Sequence, residues 1–261
     1  MPEPLDNVTL SIVSYSQRDM LDRCLRQLGK LDLPTTCETI VVDNNSMDDS
    51  ADLVEKSYPW VKLIRLQKNR GFGGGHNVAY AQTNKPYFFV LNPDVIVSTG
   101  SLDELVEIFM KFPRAAVVGP CLLNPDGSFQ YSARRFYTWR TIFSRRLPMP
   151  GRKKINDYHL MKEWDHKVVR KVDWILGAAM GIRREAFARK ELFDPRYTLY
   201  FEDVDLCYFA RKEGWDVLYC PDSKMIHDHQ RESANGLVNK ALFHHFISWL
   251  KFNHKSKKWD K

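Results

Sequence analysis

Residues 87–94 read Tyr87-Phe88-Phe89-Val90-Leu91-Asn92-Pro93-Asp94: five apolar side chains without alternation, then a polar turn ending on a carboxylate. An apolar run with no period of two suits a strand buried on both faces, as in a parallel sheet covered by helices. Pro93 cannot donate to a ladder, so it ends the strand and stiffens the turn. Asp94 is thereby placed at the carboxyl end of a central strand, the edge where open α/β sheets bind ligands. A hard divalent cation on phosphate oxygens needs one or two carboxylates from the protein, and Asp94 can supply one. A solvated loop acid is the plainer account of the same residue.

The flanking sequence repeats the pattern. Upstream, Val8 to Tyr15 predicts a strand. Ser16 with Asp19 resembles a capping box, before a helix with Met20, Leu21, Cys24, Leu25 and Leu28 on one face. Thr39 to Val42 predicts a second strand, ending in Asp43-Asn44-Asn45-Ser46, and Val61 to Leu66 a third. After it come Asn69-Arg70-Gly71-Phe72-Gly73-Gly74-Gly75-His76-Asn77 and a helix through Val78, Ala79 and Ala81, an arrangement that offers backbone N–H groups to an anion. It is not a dinucleotide fingerprint, because His76 stands where the third glycine should be and the loop follows the third strand. Downstream, Ser101 and Glu104 read as a capping box for a helix with Leu102, Leu105, Val106, Phe109 and Met110 toward a core. Ala115 to Val118 is the next strand, and Asn124-Pro125-Asp126-Gly127 is a turn. Strand and helix alternate throughout. The fold class is α/β, a doubly wound, mainly parallel sheet with helices on both faces.

The second half carries the charge. From Ala133 to Lys171 basic residues (Arg134, Arg135, Arg140, Arg145, Arg146, Arg152, Lys153, Lys154) interleave with Phe136, Tyr137, Trp139, Phe143 and Trp164, a composition that suits nucleic acid, anionic lipid, a phosphate-bearing acceptor or a solvated loop. Val172 to Gly181 sets small residues beside Trp174, which suggests close backbone packing on a ligand or another segment. Glu202, Asp203 and Asp205 open a helix that ends at Gly214, where the helix dipole favours acids. One carboxylate of such a cluster, raised in pKa by its neighbours, is also what a general base needs. Trp215 to Cys220 predicts a further strand, and His227 and His229 beyond it could complete a metal shell. Leu237 to Lys258 has helical spacing, with aromatic residues and a Lys/His-rich end that could pack on the core or lie in a membrane interface.

Composition bounds the partners. The chain has 261 residues, 44% of them hydrophobic, and a formal charge of +7, which favours an anionic partner. No apolar run reaches the roughly eighteen residues of a membrane span, and Met1-Pro2-Glu3-Pro4 has no signal-peptide character. The chain is expected to stay in the compartment where it is made. Five scattered cysteines without a C-x-x-C pair argue against a disulfide frame and a zinc site, and for reduced thiols in a cytosol.

Six motifs occur together. They are Ser11-Ile12-Val13-Ser14-Tyr15, Val41-Val42-Asp43-Asn44-Asn45-Ser46, Asn69-Arg70-Gly71-Phe72-Gly73 with Asn77, Leu91-Asn92-Pro93-Asp94, Trp174 to Gly177, and Phe201-Glu202-Asp203-Val204-Asp205. Over about residues 7–232 the chain resembles the family 2 glycosyltransferases of the GT-A fold, in their rhamnosyltransferase-like branch. The resemblance implies a GT-A domain over 1–232, with a nucleotide-binding half (about 7–123) and an acceptor half (about 124–232), followed by a C-terminal amphipathic basic helix over 233–261. It implies donor binding by Ser14 and Tyr15 at the base pocket, Asp43 at the base edge, and Asn45, Asn69, Gly71, Asn77 and Asn92. Asp94 would hold Mg2+ or Mn2+ on the donor diphosphate, with His227 or His229 beside it, and Asn92 replaces the first acid of the D-x-D motif. Asp203 would be the catalytic base, supported by Glu202 and Asp205, with Trp174, Gly177 and Asp205 at the acceptor.

The implied reaction is inverting transfer of a sugar, first dTDP-L-rhamnose and next a UDP-sugar, to a lipid-linked or growing surface polysaccharide. It places the chain in the cytoplasm, peripheral at the inner face of an anionic membrane, without nucleic acid and with room for a homodimer. Two other classes compete. A sugar-nucleotide pyrophosphorylase would need a glycine-rich basic loop where Ser14-Tyr15-Ser16-Gln17 stands. A non-catalytic nucleic-acid binder would rest on the basic segment and show steep salt dependence.

Overall fold

The computed structural model describes residues 4–144, 150–187, 189–229 and 238–259. The stretch at residues 87–91 is the strand β4 of the sheet. Successive side chains of a strand point to opposite faces, and here Phe88 and Val90 enter one apolar cluster while Phe89 and Leu91 enter another. Both faces are therefore covered.

Four parallel strands form the first part of the sheet: β1 (Val8–Ser14), β2 (Glu38–Asp43), β3 (Lys62–Arg65) and β4 (Tyr87–Leu91), in the order β3-β2-β1-β4. Helices α1 (Arg18–Leu28), α2 (Ser50–Ser57) and α3 (Gly71–Tyr80) connect them. Register sets Ile12 beside both Val41 and Leu91, so Ser14, Asp43 and the 92–94 turn emerge at one edge. β5 (Val95–Val97), α4 (Ser101–Lys111) and β6 (Ala115–Leu123) follow, then the two-residue strands β7 (Phe129–Gln130) and β8 (Ala133–Arg134).

The basic segment contains helices α5 (Trp139–Ser144) and α6 (Arg152–His159), so it is not a plain loop. Arg145 and Arg146 lie outside the described residues. Next come β9 (Arg170–Lys171), β10 (Trp174–Ile175), β11 (Ala179–Arg183), α7 (Glu202–Lys212), β12 (Asp216–His227) and α8 (Val238–Trp259). β11 is antiparallel to both β4 and β6, between which it lies, and β12 runs parallel to β6 and antiparallel to β5. The sheet is thus mixed, parallel in its first half and interleaved in its second. A strand from the expected acceptor half sits between strands of the nucleotide-binding half, and the two share one sheet.

Three local expectations need correction. Gly100, with φ 79°, precedes α4, and Ser101 donates its hydroxyl to Lys224 O rather than capping the helix. Gln17 precedes α1, and Ser16, at φ 52°, turns its N–H to the Ser46 hydroxyl instead. Met110 is 65% exposed, because it stands one position past the buried Phe109 and the helix has turned it out of the core stripe. The strand expected at Trp215 to Cys220 continues to His227 through an irregularity between Cys220 and Lys224. All five cysteines are free, and burial pushes the Cys24 thiol up to about 12, well away from a thiolate.

Helix α8 is joined to the core. Phe252 is buried in the main cluster, and the buried Lys255 donates to Asp205 at 2.6 Å and Asp194 at 2.7 Å. Ser248 donates to Leu199 O at 2.9 Å and Lys251 to Arg196 O at 2.7 Å, so the helix fastens the 194–199 loop. The domain boundary expected at residue 232 lies outside the described residues, as do the side chains of Leu242 and Lys258. No helix among the described residues is long and apolar enough to cross a membrane.

β11 can pack as it does because Gly181 has no side chain. A Cβ there would come within 2.8 Å of the Phe89 ring and 2.9 Å of the Phe109 ring. Gly181→Val should lower stability by about 1–3 kcal/mol through overpacking, read as a lower urea midpoint at unchanged slope.

Candidate active site

The carboxyl edge of β1, β2 and β3 makes one corner. Ser14 is fully buried with no hydrogen-bond partner for its hydroxyl, and Asp43 accepts from Ser46 N at 3.1 Å through Oδ2 while its buried Oδ1 has no partner. Buried polar groups without partners are costly, so such atoms commonly wait for a ligand. Tyr15 and Asn45 lie exposed beside them, Asn45 with φ 68°. The loop before α3 is held by two side chains. Asn44 accepts from Arg70 N at 2.8 Å and donates to Gly71 O at 3.1 Å, and Asn69 accepts from Gly71 N at 2.7 Å. Gly71 is required here: its φ is +72°, and a Cβ would sit 2.6 Å from Thr198 O.

Asn77 departs from the expected donor role, because both ends of its amide are engaged. It donates to Phe193 O and accepts from Phe193 N, each at 2.8 Å, and so clasps the loop before α7. His76 was flagged in the sequence only as a missing glycine. It is fully buried, its Nδ1 lies 2.8 Å from Ser11 Oγ, and burial pushes its pKa down to about 3, so it is a neutral packing group against Phe72.

Asp94, His227 and His229 form a second corner. Each offers one ligand atom, and these atoms lie within 4.8 Å of one another. β5 and β12 bring them together: His227 is in register with Val95, and Asp228 N donates to Asp94 O at 2.9 Å. Gln130, which the sequence did not reveal, orients the imidazole. Its amide nitrogen donates to Asn124 Oδ1 at 2.7 Å and His227 O at 3.1 Å. Its oxygen therefore accepts from His227 Nδ1 at 2.7 Å, which turns Nε2 toward Asp94, 3.4 Å from Oδ2. That nitrogen and Asp94 Oδ1 are buried without hydrogen-bond partners. A buried carboxylate beside an oriented imidazole fits a divalent cation. A donor set with nitrogen suits Mn2+ better than Mg2+, which prefers oxygen and water.

The third corner opens α7. Tyr200 and Phe201 reach it with φ 67° and 73°, left-handed values that bulky residues adopt only where packing over-determines them. Asp203 accepts from Gly177 N at 2.9 Å and Val204 N at 2.8 Å. A Cβ on Gly177 would press at 3.3 Å on the Asp203 side chain and on Phe72, which explains the small residue after Leu176. Glu202 is buried, with Oε1 unpartnered. Burial first, and the adjacent Asp203 charge second, push its carboxyl up to about 8. Burial raises the Asp203 carboxyl above its ordinary value, and the two N–H donors and the Arg134 charge offset that only in part. Glu202, pushed up to about 8, keeps its proton near neutrality.

A cleft of about 690 Å³ joins the second and third corners, with Asn92, Trp174, Gly177, Glu202, Asp203, His227 and His229 among its lining. Trp174 is held by its indole N–H on Arg135 O at 2.8 Å. The sequence missed Gln130, Tyr131, Tyr200 and His245 of α8, which also line it. Asp205 does not, and its expected acceptor role is corrected: it is 1% exposed and takes Lys255 and Tyr197 on its two oxygens.

Residues 9–188 match the family described as Glycosyl transferase family 2. The chain belongs to this family. It is 27% identical to the N-acetylglucosaminyl-diphospho-decaprenol L-rhamnosyltransferase of Mycobacterium tuberculosis (strain CDC 1551 / Oshkosh), over 94% of this chain and 83% of that protein. It is 26% identical to Rhamnosyltransferase WbbL of Escherichia coli (strain K12), over 94% and 92%. Its fold is similar to the mannosyltransferase PcManGT from Pyrobaculum calidifontis, solved with GDP-Man and Mn2+, with TM-score 0.60 and 15% identity over 87% of this chain and 58% of that one. The family 2 glycosyltransferase thus has a GT-A-like mixed sheet, and its carboxylate and histidine cluster stands at the sheet's edge.

The raised Glu202 carboxyl has a measurable consequence. Glu202 rises from 4.5 to about 8 on folding, so between those values the folded glycosyltransferase holds a proton that the unfolded chain releases. Stability from this group is present below pH 4.5 and lost as pH rises through about 8. Glu202→Gln should flatten the fall in urea midpoint between those pH values; an equal fall in the variant would assign it to other groups.

Proposed function

We propose that this glycosyltransferase moves L-rhamnose from dTDP-L-rhamnose, with inversion, to a hydroxyl of a lipid-linked or growing surface polysaccharide. The observation that carries the reading is the one cleft lined by Asp203, which Gly177 N holds, and by His227 and His229 of the cluster with Asp94. The relatives named as rhamnosyltransferases, and the diphospho-decaprenol in the name of one, support the sugar and the lipid-linked acceptor. A UDP-sugar is the next candidate donor.

The residues divide the work. Ser14, Tyr15, Asp43 and Asn45 take the nucleoside, and Asn69, Gly71 and Asn92 border the diphosphate, with the α3 amino end toward its charge. Asp94, His227 and His229 would hold a divalent cation, which when bound supplies positive charge to the leaving diphosphate. Asp203 takes the proton of the acceptor hydroxyl, whose oxygen bonds the anomeric carbon as the carbon–oxygen bond to the diphosphate breaks. The electron pair leaves with the nucleoside diphosphate, and attack from the opposite face inverts the carbon. Gly177 N and Val204 N aim the Asp203 carboxylate before the reaction. Glu202, neutral, keeps a second negative charge away from the base. Trp174 and Gly177 shape the acceptor side.

Helix α8 supports peripheral residence at the inner face of an anionic membrane. Its exposed Phe243, Leu250, His254 and Lys257 recur at i, i+7, i+11 and i+14, one stripe of apolar and basic side chains facing away from the core.

Two measurements test the reaction. Asp203→Asn should cost about 10²–10⁴ in turnover while dTDP affinity stays within about twofold, as expected for loss of a proton acceptor alone; lost dTDP affinity would refute the assignment. Calorimetry should find dTDP binding strengthened by Mn2+, with Asp94→Asn reducing that metal-dependent gain by about 10–100-fold. Metal-independent binding equal in both proteins would refute the metal site.

A further inference from the structure

A second cavity, of about 360 Å³, opens on the other side of Arg134. Arg134, Arg152, Asn156, His159 and Leu160 line it, and Arg134 and Leu160 also line the reaction cleft. The two spaces therefore share a wall. Among the described residues no carboxylate lines the second one. The acids nearest in sequence are committed elsewhere, Asp157 to Lys162 at 2.9 Å and Glu163 to Arg135. Two guanidiniums and an amide, with an imidazole behind them, make a lining suited to an anion with several oxygens, and arginine forks match phosphate.

Position selects which phosphate. The donor diphosphate belongs with Asp94 and the histidines. Arg134, whose charge acts on Asp203, lies on the base's side of the cleft, where the acceptor sugar must stand. A group held beyond Arg134 is thus attached to the acceptor and not to the donor. The surroundings add a second feature. α5 and α6 pack together, with Ser144 donating to Asn156 at 3.2 Å, and they expose Trp139 (57%), Phe143 (36%) and Tyr158 (61%). Apolar rings next to an anion-lined cavity are the complement of a prenyl chain on a diphosphate.

We propose that this cavity holds the diphosphate of a prenyl-diphosphate-linked acceptor, with Arg134 and Arg152 on its oxygens and the α5–α6 rings on the prenyl chain. The assignment rests on the reading of the cleft as an acceptor site, and it names what the acceptor is attached to. Membrane phospholipid headgroups share the phosphate chemistry and are separated in the test.

The probe is farnesyl diphosphate, which carries neither sugar nor nucleoside, titrated calorimetrically into the full chain with and without saturating dTDP and Mn2+. The expected result is binding that dTDP leaves within about twofold and that Arg152→Glu weakens by about tenfold or more, the loss of one charge-assisted phosphate contact. Unaltered dTDP affinity in Arg152→Glu shows that the variant is folded, and Arg152→Ala should lose less than Arg152→Glu. Displacement by dTDP, equal affinity in wild type and Arg152→Glu, or displacement by phosphatidylglycerol vesicles would each overturn the proposal. Sugar transfer assayed separately keeps the two readings apart. Transfer with Arg152-independent probe binding sinks this site alone, and Arg152-dependent binding without rhamnosyl transfer sinks the reaction alone.

Discussion

The site depends on one strand running against its neighbours. β11 lies antiparallel between β4 and β6, with Ala179 opposite Leu91, and the ladder continues one step as Asn92 N donates to Ala178 O at 2.8 Å. The next residue back, Gly177, donates to Asp203. A short run of backbone thus connects the turn that carries Asp94 to the helix that carries Asp203. Neither group can shift without disturbing a ladder buried on both faces, a rigidity that would serve the proposed reaction by fixing the two carboxylates relative to each other. The ladder is possible because of two absent side chains. Gly181 lets the Phe89 and Phe109 rings close over β11, and a Cβ on Gly119 would come within 2.2 Å of Ile175.

A second constraint comes from the far end of the chain. Lys255 is buried between Asp194 and Asp205, one on the loop before α7 and the other on α7 itself. Burial raises Asp194, but the hydrogen bonds from Arg196 and Lys255 outweigh it and hold that carboxyl well below its ordinary range. An ammonium shared in this way is expensive to desolvate and more expensive to strip of one partner. Its value here is geometric, since it pins α8 over the helix whose first turn carries Glu202 and Asp203. His245, on the same α8, lines the cleft. Besides any membrane contact its outer stripe makes, α8 completes the wall of the reaction site.

Much of this was legible in residues alone, and the limits have physical causes. The apolar run at 87–91 announced a strand covered on both sides because burial erases alternation, and Asn92-Pro93-Asp94 announced its end because proline cannot extend a ladder. The direction of β11 left no such trace: Ala179 to Arg183 reads the same whether its neighbours run with it or against it. Side-chain roles were legible where a residue type has few uses, as with Asp94. They were misleading where tertiary partners decide. Asp205 looked like one of three equivalent acids, but it stands two positions past Asp203, and two positions along a helix turn a side chain by about 200°, from the cleft to Lys255. Asn77 sat inside a donor motif, yet Phe193, far along the chain, occupies its amide. Gln130 carried no signal, because orienting a histidine requires only an amide at the right distance.

The same electrostatic logic accounts for Asn92 where the family pattern has an acid. Two carboxylates at the turn would neutralise a divalent cation and leave little charge for the diphosphate. On the proposed reading, a cation held by Asp94 with His227 and His229 would keep more positive charge for the donor than one held by two acids. At the other corner burial instead of residue type limits the charge, raising the Glu202 carboxyl to about 8 so that it adds no second charge beside Asp203 near neutrality. A second charge at the metal corner would weaken its hold on the leaving diphosphate, and a second at the base corner would repel the alkoxide character developing on the acceptor oxygen.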